Sequence, residues 1–451
     1  MKKVSISFLL IGLILSFTCC KKDSLSNNET LQIDGHPGWI MQGNIYEVNI
    51  RQYTPEGTLN AFAKHLDRLR AMGVETIWFM PINPISKVDR KGSLGSYYAV
   101  SDYTAINPEF GTLEDFKNLV KSIHDKGMKV IIDWVPNHTG ADHRWLKQHP
   151  DFYVKDSLGK AAVAFDWADV RQLNFKNNVM QDSMIAAMKF WVKDTDIDGF
   201  RCDVAWNVPA SFWQKTIPQL KKMKDVFMLA EGDSTYLPKS GFDAVYPWHM
   251  FKMMEKVAAA KRPAFSLDSI NKENETRYPK NTIQMYFTSN HDENSWNHAD
   301  FGTFPNEVHA PFAVFTQTTK NSVPLIYSGQ EEPTLRALKF FDKDPMEFKN
   351  LKREKFYKTL LNLRTRNIAL SANASFKKVA IGDKNAIYAY TREKDNKKIL
   401  VILNLSGKEQ MIKINDKTLL GKAFNVFNEM KETLNSNERK IKPWGYEVYE
   451  Y

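Results

Sequence analysis

The sequence predicts an α/β fold: a (β/α)8 barrel with a short inserted loop domain after its third strand and an antiparallel β domain at its C-terminal end. Three observations lead there. Short apolar runs alternate with segments of helical periodicity from about residue 39 to residue 370, polar residues terminate those apolar runs, and beyond residue 370 the pattern changes to closely spaced strand-like runs. Alternation of strand and helix calls for a parallel sheet, and eight such units close it into a barrel. An open doubly wound sheet would carry a glycine-rich phosphate turn after its first strand, and residues 47–54 contain no glycine.

Taken in order, Asn44 to Ile50 is strand-like, and Leu59, Phe62, Leu66 and Leu69 recur at helical spacing until Gly73 ends the helix. Val74 to Met80 is the second strand. Thr112 with Asp115 three residues later marks a helix start that continues through Phe116, Leu119 and Ile123 to Gly127, and Val130 to Val135 is the third strand. Residues from about 139 to 173 make the inserted loop domain. Later strands end at Asp203, Glu231, Val245, His291 and Tyr327, and a helix is expected over about 348–367. After it, runs such as Ala386-Ile387-Tyr388-Ala389-Tyr390 and Ile399-Leu400-Val401-Ile402-Leu403 flank the turn Asp395-Asn396. Residues 37–370 are therefore read as the barrel and 371–451 as a β-sandwich domain.

The N-terminus reads as a targeting segment: Lys2 and Lys3, an apolar run from Val4 to Phe17, then Thr18-Cys19-Cys20. The run is too short to span a bilayer comfortably. Two cysteines directly behind it resemble a bacterial lipoprotein processing site, with Cys20, or alternatively Cys19, as the lipidated residue. Residues 1–20 are then the leader and 21–36 a polar, flexible tether. The chain is expected in the cell envelope, held by acyl chains at the outer-membrane surface or its periplasmic face. Cys202 is the one remaining cysteine, so the mature fold contains no internal disulfide. The formal charge of +10 is spread over dispersed Lys and Arg with no basic block carrying interleaved aromatics, which argues against nucleic acid as a partner.

In such a barrel, catalytic groups project from the C-terminal ends of strands. Four endings carry chemistry: Ile131-Ile132-Asp133-Trp134-Val135-Pro136-Asn137-His138, Gly199-Phe200-Arg201-Cys202-Asp203, Met228-Leu229-Ala230-Glu231 and Thr288-Ser289-Asn290-His291-Asp292. Asp203, Glu231 and Asp292 would converge on one mouth. Glycoside hydrolysis needs two carboxyl groups flanking the scissile bond, one to attack the anomeric carbon and one to protonate the departing oxygen. The 28 Phe, 17 Tyr and 11 Trp suit a sugar-binding cleft, although core packing accounts for most of them.

These four segments, together with Gly73 to Ile82, Gly95 to Thr112 and Pro324 to Glu331, resemble the conserved regions of the alpha-amylase family, glycoside hydrolase family 13, from about Trp39 to Glu331. The resemblance implies a retaining hydrolase of α-glucosidic bonds in starch-derived glucans or maltooligosaccharides, with a glucanotransferase or an α-glucosidase or neopullulanase-like enzyme as alternatives. A non-catalytic carbohydrate-binding protein on this fold would have lost a carboxylate, and all three are present. It further implies Asp203 as nucleophile held by Arg201, Glu231 as acid and then base, and Asp292 as the carboxylate that grips sugar hydroxyls. Asp203 and Glu231 would stand roughly 5 Å apart. His138 and His291 match residues that hydrogen-bond the sugar, and Tyr98 the ring on which it stacks.

The family's pattern also makes Asn137 a calcium ligand. Gln172, however, stands where many members carry an aspartate, which weakens the case for calcium; no other cofactor is expected. Val204-Ala205-Trp206-Asn207 replaces the Lys-His pair that many alpha-amylases place after the nucleophile. The expected partners are α-glucan oligosaccharides, a membrane reached through the lipid anchor, and glycan-uptake proteins.

Overall fold

A computed structural model describes Met1 and residues 31–451; the leader, most of the tether, Cys19 and Cys20 lie outside the described residues. Eight strands form the barrel: β1 (Ile45–Val48), β2 (Thr76–Phe79), β3 (Lys129–Trp134), β4 (Gly199–Cys202), β5 (Phe227–Ala230), β6 (Ala244–Val245), β7 (Ile283–Gln284) and β8 (Leu325–Tyr327). They pair in parallel in the order β7-β6-β5-β4-β3-β2-β1-β8. The N–H of Val323 donates to the Gln284 carbonyl (3.0 Å) and that of Leu325 to the Tyr286 carbonyl (2.8 Å), so β8 meets β7 and the sheet closes. These strands are buried along almost their whole length, as expected where helices cover the outside and side chains fill the inside. A Cβ on Gly199 would lie 2.1 Å from the Phe227 carbonyl oxygen, so glycine alone lets β4 approach β5 this closely.

The local signals have clear physical counterparts. Thr112 and Asp115 form a reciprocal capping box on the helix Leu113–Asp125. Gly73, at φ 104°, closes the helix Leu66–Met72 in the left-handed conformation that a glycine adopts without cost. The helical run expected from Leu59 is divided into Leu59–Ala63 and Leu66–Met72. The helix expected over 348–367 spans only Glu354–Arg366, because the Glu332 carboxylate accepts the N–H groups of Lys349 (2.9 Å), Asn350 (3.0 Å) and Leu351 (2.8 Å) and holds that stretch in a loop. The seventh strand also ends well before His291. The Asn290 side-chain oxygen accepts the Glu293 N–H (2.8 Å) and turns the chain into a π-helical turn, Glu293–Asn297.

The tether expected over 21–36 is corrected at its C-terminal end. Gln32–Ile33 pairs with His36–Pro37, and the buried His36 ring bridges the Asp243 carboxylate (3.0 Å) and the Asn281 carbonyl (2.9 Å). Gln32 also donates to Asp225 (2.7 Å). These partners precede β6, β7 and β5, so the hairpin is fastened beneath the barrel, at the end opposite the strand C-termini.

His138–Gly140 pairs antiparallel with Val170–Gln172, closing the base of the inserted segment. At the other end of the chain, β9 (Ser375–Lys378), β10 (Ile387–Lys394), β11 (Lys397–Asn404), β12 (Gly421–Asn425), β13 (Met430–Leu434) and β14 (Tyr446–Glu450) form an antiparallel sheet in the order β9-β10-β11-β14-β12-β13. Tyr388, Tyr390 and Val401 from this sheet share an apolar core with Phe312 and Phe315 of the barrel's helix His309–Thr318.

Candidate active site

Register builds the centre of the site. Asp133 on β3 and Arg201 on β4 are paired residues, and Cys202 pairs with Ala230 on β5, so Asp203 and Glu231 follow as neighbours one step beyond the ladder. The buried guanidinium of Arg201 reaches Asp133 (2.9 Å) and Asp203 (3.0 Å) through Nη1 and Glu231 (3.2 Å) through Nη2. Its faces lie near the rings of Trp78, Tyr98 and Tyr246, which exclude water from these charges. Glu231 is fixed from its other oxygen by the Val204 N–H (2.7 Å). Burial first, and then the charge of Glu231, pushes the Asp203 carboxyl well above the usual carboxylate range, against the pull of Arg201. The Asp203 carboxyl therefore retains its proton to higher pH than an isolated carboxylate would. Asp133 is likewise raised by burial, to about 6, although Arg201 opposes the change.

A second chain of contacts starts from Glu47, the one charged residue on β1. Its carboxylate accepts from Nδ1 of His291, whose Nε2 lies 2.8 Å from the Tyr98 hydroxyl and 3.3 Å from Asp292. Tyr98 in turn donates to Asp133 (3.1 Å). Burial would lower the His291 pKa, but Asp292 and Glu47 on either side outweigh it and raise it well above the ordinary value. The same ion pair, together with Arg201, holds Asp292 below the usual range in spite of its desolvation. His138 behaves oppositely: burial takes it down to about 3, and its Nε2 is buried without a protein partner.

Above these groups lies a cavity of about 490 Å³, lined by Tyr98, His138, Asp203, Glu231 and Asp292 and walled by Trp167, Trp296 and Phe340. The structure thus brings Tyr98, His138, Arg201, Asp203, Glu231, His291 and Asp292 together. Asn137 adjoins this group, its side-chain nitrogen 3.1 Å from Nδ1 of His138. Its side-chain oxygen accepts from the amides of Gln172 (2.9 Å) and Asn207 (2.9 Å), and its backbone carbonyl from Gln172 (3.1 Å). That oxygen is taken up by neutral amide donors, and among the described residues no cluster of three or more His, Cys, Asp or Glu side chains could hold an ion, a donor set that does not fit calcium. Sequence reasoning passed over Glu47, Tyr246, Trp296 and Phe340. A glutamate inside the buried run Ile45-Tyr46-Glu47-Val48 was a signal for the first; Trp296 and Phe340 had none.

Because His291 is favoured as the imidazolium in the folded state, its contribution to stability is whole below the ordinary value near 6.5 and is lost as pH rises through the raised value. Glu47→Gln removes one of the two charges responsible. The His291 ring should then lose its proton about one pH unit lower, measured by NMR titration of its imidazole. An unmoved titration would show that Glu47 does not hold the proton on His291.

Comparison with known proteins places this geometry. The profile of the alpha-amylase catalytic domain matches residues 22–168 and 159–355, and that of the alpha-amylase SusG C-terminal domain matches residues 387–445. The alpha-amylase MalA of Haloarcula japonica is 26% identical over 391 residues, covering 82% of this chain and 56% of its own. A cyclomaltodextrinase of Thermoanaerobacter pseudethanolicus is 27% identical over 404 residues, covering 80% and 65% respectively. The chain thus spans less than two thirds of the length of either curated relative. Among solved structures, the maltogenic alpha-amylase AmyB from Thermotoga neapolitana superposes with a TM-score of 0.83 at 26% identity, over 92% of this chain and 99% of its own. An alpha-amylase from Lactobacillus plantarum does so with a TM-score of 0.81 at 25% identity, over 92% and 99%. With the catalytic-domain profile matched across most of its length and the C-terminal profile following in order, the chain belongs to the alpha-amylase family.

Proposed function

We propose that the chain is a retaining glycoside hydrolase that cleaves α-glucosidic bonds in starch-derived glucans or maltooligosaccharides. The observation that carries this reading is the single guanidinium of Arg201 contacting both Asp203 and Glu231 beside an aromatic-walled cavity. In the reactive form Asp203 is ionised and Glu231 carries the proton to be given up. An Asp203 oxygen attacks the anomeric carbon as the glycosidic C–O bond breaks, and Glu231 gives its proton to the leaving oxygen. Glu231 then takes a proton from water, whose oxygen attacks the same carbon and frees Asp203, so two inversions return the α configuration. Asp292, His138 and the Tyr98 ring hold the sugar at the reacting position. The half-exposed rings of Phe165 and Trp206, 5.7 Å apart, favour glycosyl transfer to a second sugar as the alternative reading, separable by the ratio of free reducing sugar to lengthened products.

The cell-envelope reading remains part of this proposal: Cys20, or Cys19, carries acyl chains that tether the enzyme to a membrane, beside glycan-uptake proteins that take its products. Membrane fractionation and the mass of the mature N-terminus test it, and a soluble, unlipidated product lacking both cysteines would refute it.

Three further outcomes are expected. Chelation should change neither the rate nor Tm, because the Asn137 oxygen is engaged by amides; a joint fall in both on EDTA treatment, reversed by calcium, would show a functional ion site. Asp203→Asn should abolish both chemical steps while maltooligosaccharide binding survives. Glu231→Gln should accumulate a covalent glycosyl-enzyme on Asp203 from a substrate with a good leaving group, and azide should restore turnover. Proton NMR of the first-formed product and mass spectrometry of the variant check this, and a β product or an adduct elsewhere would overturn the roles.

A further inference from the structure

We propose that the Lys91–Asp169 ion pair closes the glycone end of the cleft, so that the enzyme works from the non-reducing ends of chains and releases short products of fixed length. This rests on the hydrolase reading above. Lys91 and Asp169 both line the cavity that holds the three carboxylates, and they meet at 3.0 Å. They come from opposite sides. Asp169 belongs to the inserted segment, which runs along one flank with Phe165 against Trp206 and Trp167 against His138. Lys91 belongs to the loop after β2, on the other flank, beside Phe341.

The order of groups along the cavity identifies the end. A Cβ on Gly232, next to Glu231, would touch Trp206 at 3.0 Å, so Trp206 stands on the side of the proton donor and hence of the leaving group. In the other direction the Tyr98 ring stacks on Phe340, which adjoins Phe341, over which Lys91 lies. The ion pair is therefore beyond the sugar-stacking ring, on the side the glycone occupies. Trp206 and Phe165 remain half-exposed, which leaves the leaving-group side open to a long chain.

The closure is braced rather than loose. Arg171 reaches Asp89 (2.5 Å), and Asp142 accepts the N–H groups of Lys87 (2.7 Å) and Val88 (3.2 Å), so three ties join the two flanks. On its far side the same loop is fastened by Ser93, whose N–H (2.8 Å) and hydroxyl (2.6 Å) both donate to Asp342, and by the Leu94 N–H to the Phe341 carbonyl (2.9 Å). Asp169 is buried and Lys91 part-exposed, so the pair sits at the rim of the cavity. Its consequence here is steric: a glucan cannot pass through the cleft end that the pair occupies.

The test compares maltoheptaose labelled at its reducing end with the same sugar capped by a cyclic acetal on its non-reducing glucose. The native enzyme should cleave the free form at least about tenfold faster and first release one unlabelled short product. Lys91→Ala combined with Asp169→Ala should raise the capped-to-free ratio by about tenfold, whereas Lys91→Arg, which keeps the pair, should preserve it. Equal cleavage of both sugars by the native enzyme would overturn the proposal and needs no variant. So would an unchanged ratio in a double variant that melts cooperatively. If the native enzyme hydrolyses neither sugar, the hydrolase reading itself falls, which is distinct from internal cleavage of both.

Discussion

The arrangement depends on burying the Arg201 guanidinium. A fully buried cation is tolerable only when its donors are met by well-placed acceptors, and removing one partner of such a group costs about 3–5 kcal/mol. Here Asp133, Asp203 and the Tyr246 hydroxyl accept from it, and Glu231 lies 3.2 Å from Nη2 as an ion-pair partner, so its carboxylates are drawn from β3, the end of β4 and the end of β5. Three strand ends are therefore positioned by one planar group, and the local approach of β4 to β5 is allowed by the absence of a side chain at Gly199. The surrounding rings of Trp78, Tyr98 and Tyr246 keep the local dielectric low, which strengthens every charge interaction within them.

The two charge systems of the site complement each other. The Arg201 cluster carries more carboxylates than cationic groups, and burial, with this excess of negative charge, raises both Asp203 and Asp133 above the usual carboxylate range. The Glu47–His291–Asp292 chain resolves the same difficulty with an imidazolium instead, leaving Asp292 ionised. Tyr98 joins them by contacting His291 and Asp133 at once. Two carboxyl groups of one site thus differ in protonation because burial and the charge of Glu231 act on Asp203, whereas Asp292 has a charged histidine of its own.

Much of the fold was legible in the sequence because its signals are local. Apolar runs ending in polar residues mark barrel strands, and the Thr112–Asp115 cap and Gly73 mark helix ends for reasons that operate within one turn. What escaped depends on distant partners. The helix before Asn367 starts late because Glu332, seventeen to nineteen residues from its partners, captures three backbone N–H groups. The hairpin at Gln32 to Pro37 looks like polar linker until Asp225, Asp243 and Asn281 are brought beneath it by the barrel. At the site, residues within strand-end motifs could be read directly, whereas Trp296 sits in the π-helical turn after Asn290 and Phe340 in a loop, neither marked by any periodicity. Gln172 was legible as a departure, but its amide contacts with Asn137 required the folded hairpin.

That N-terminal hairpin also sets an orientation. Its contacts lie on the floor of the barrel, just ahead of β5, β6 and β7, while the cavity opens beyond the other ends of the strands. Any load or surface attached through the residues before Leu31 therefore pulls from the face opposite the cavity. Held in that way, the molecule would keep its mouth on the side away from the point of attachment.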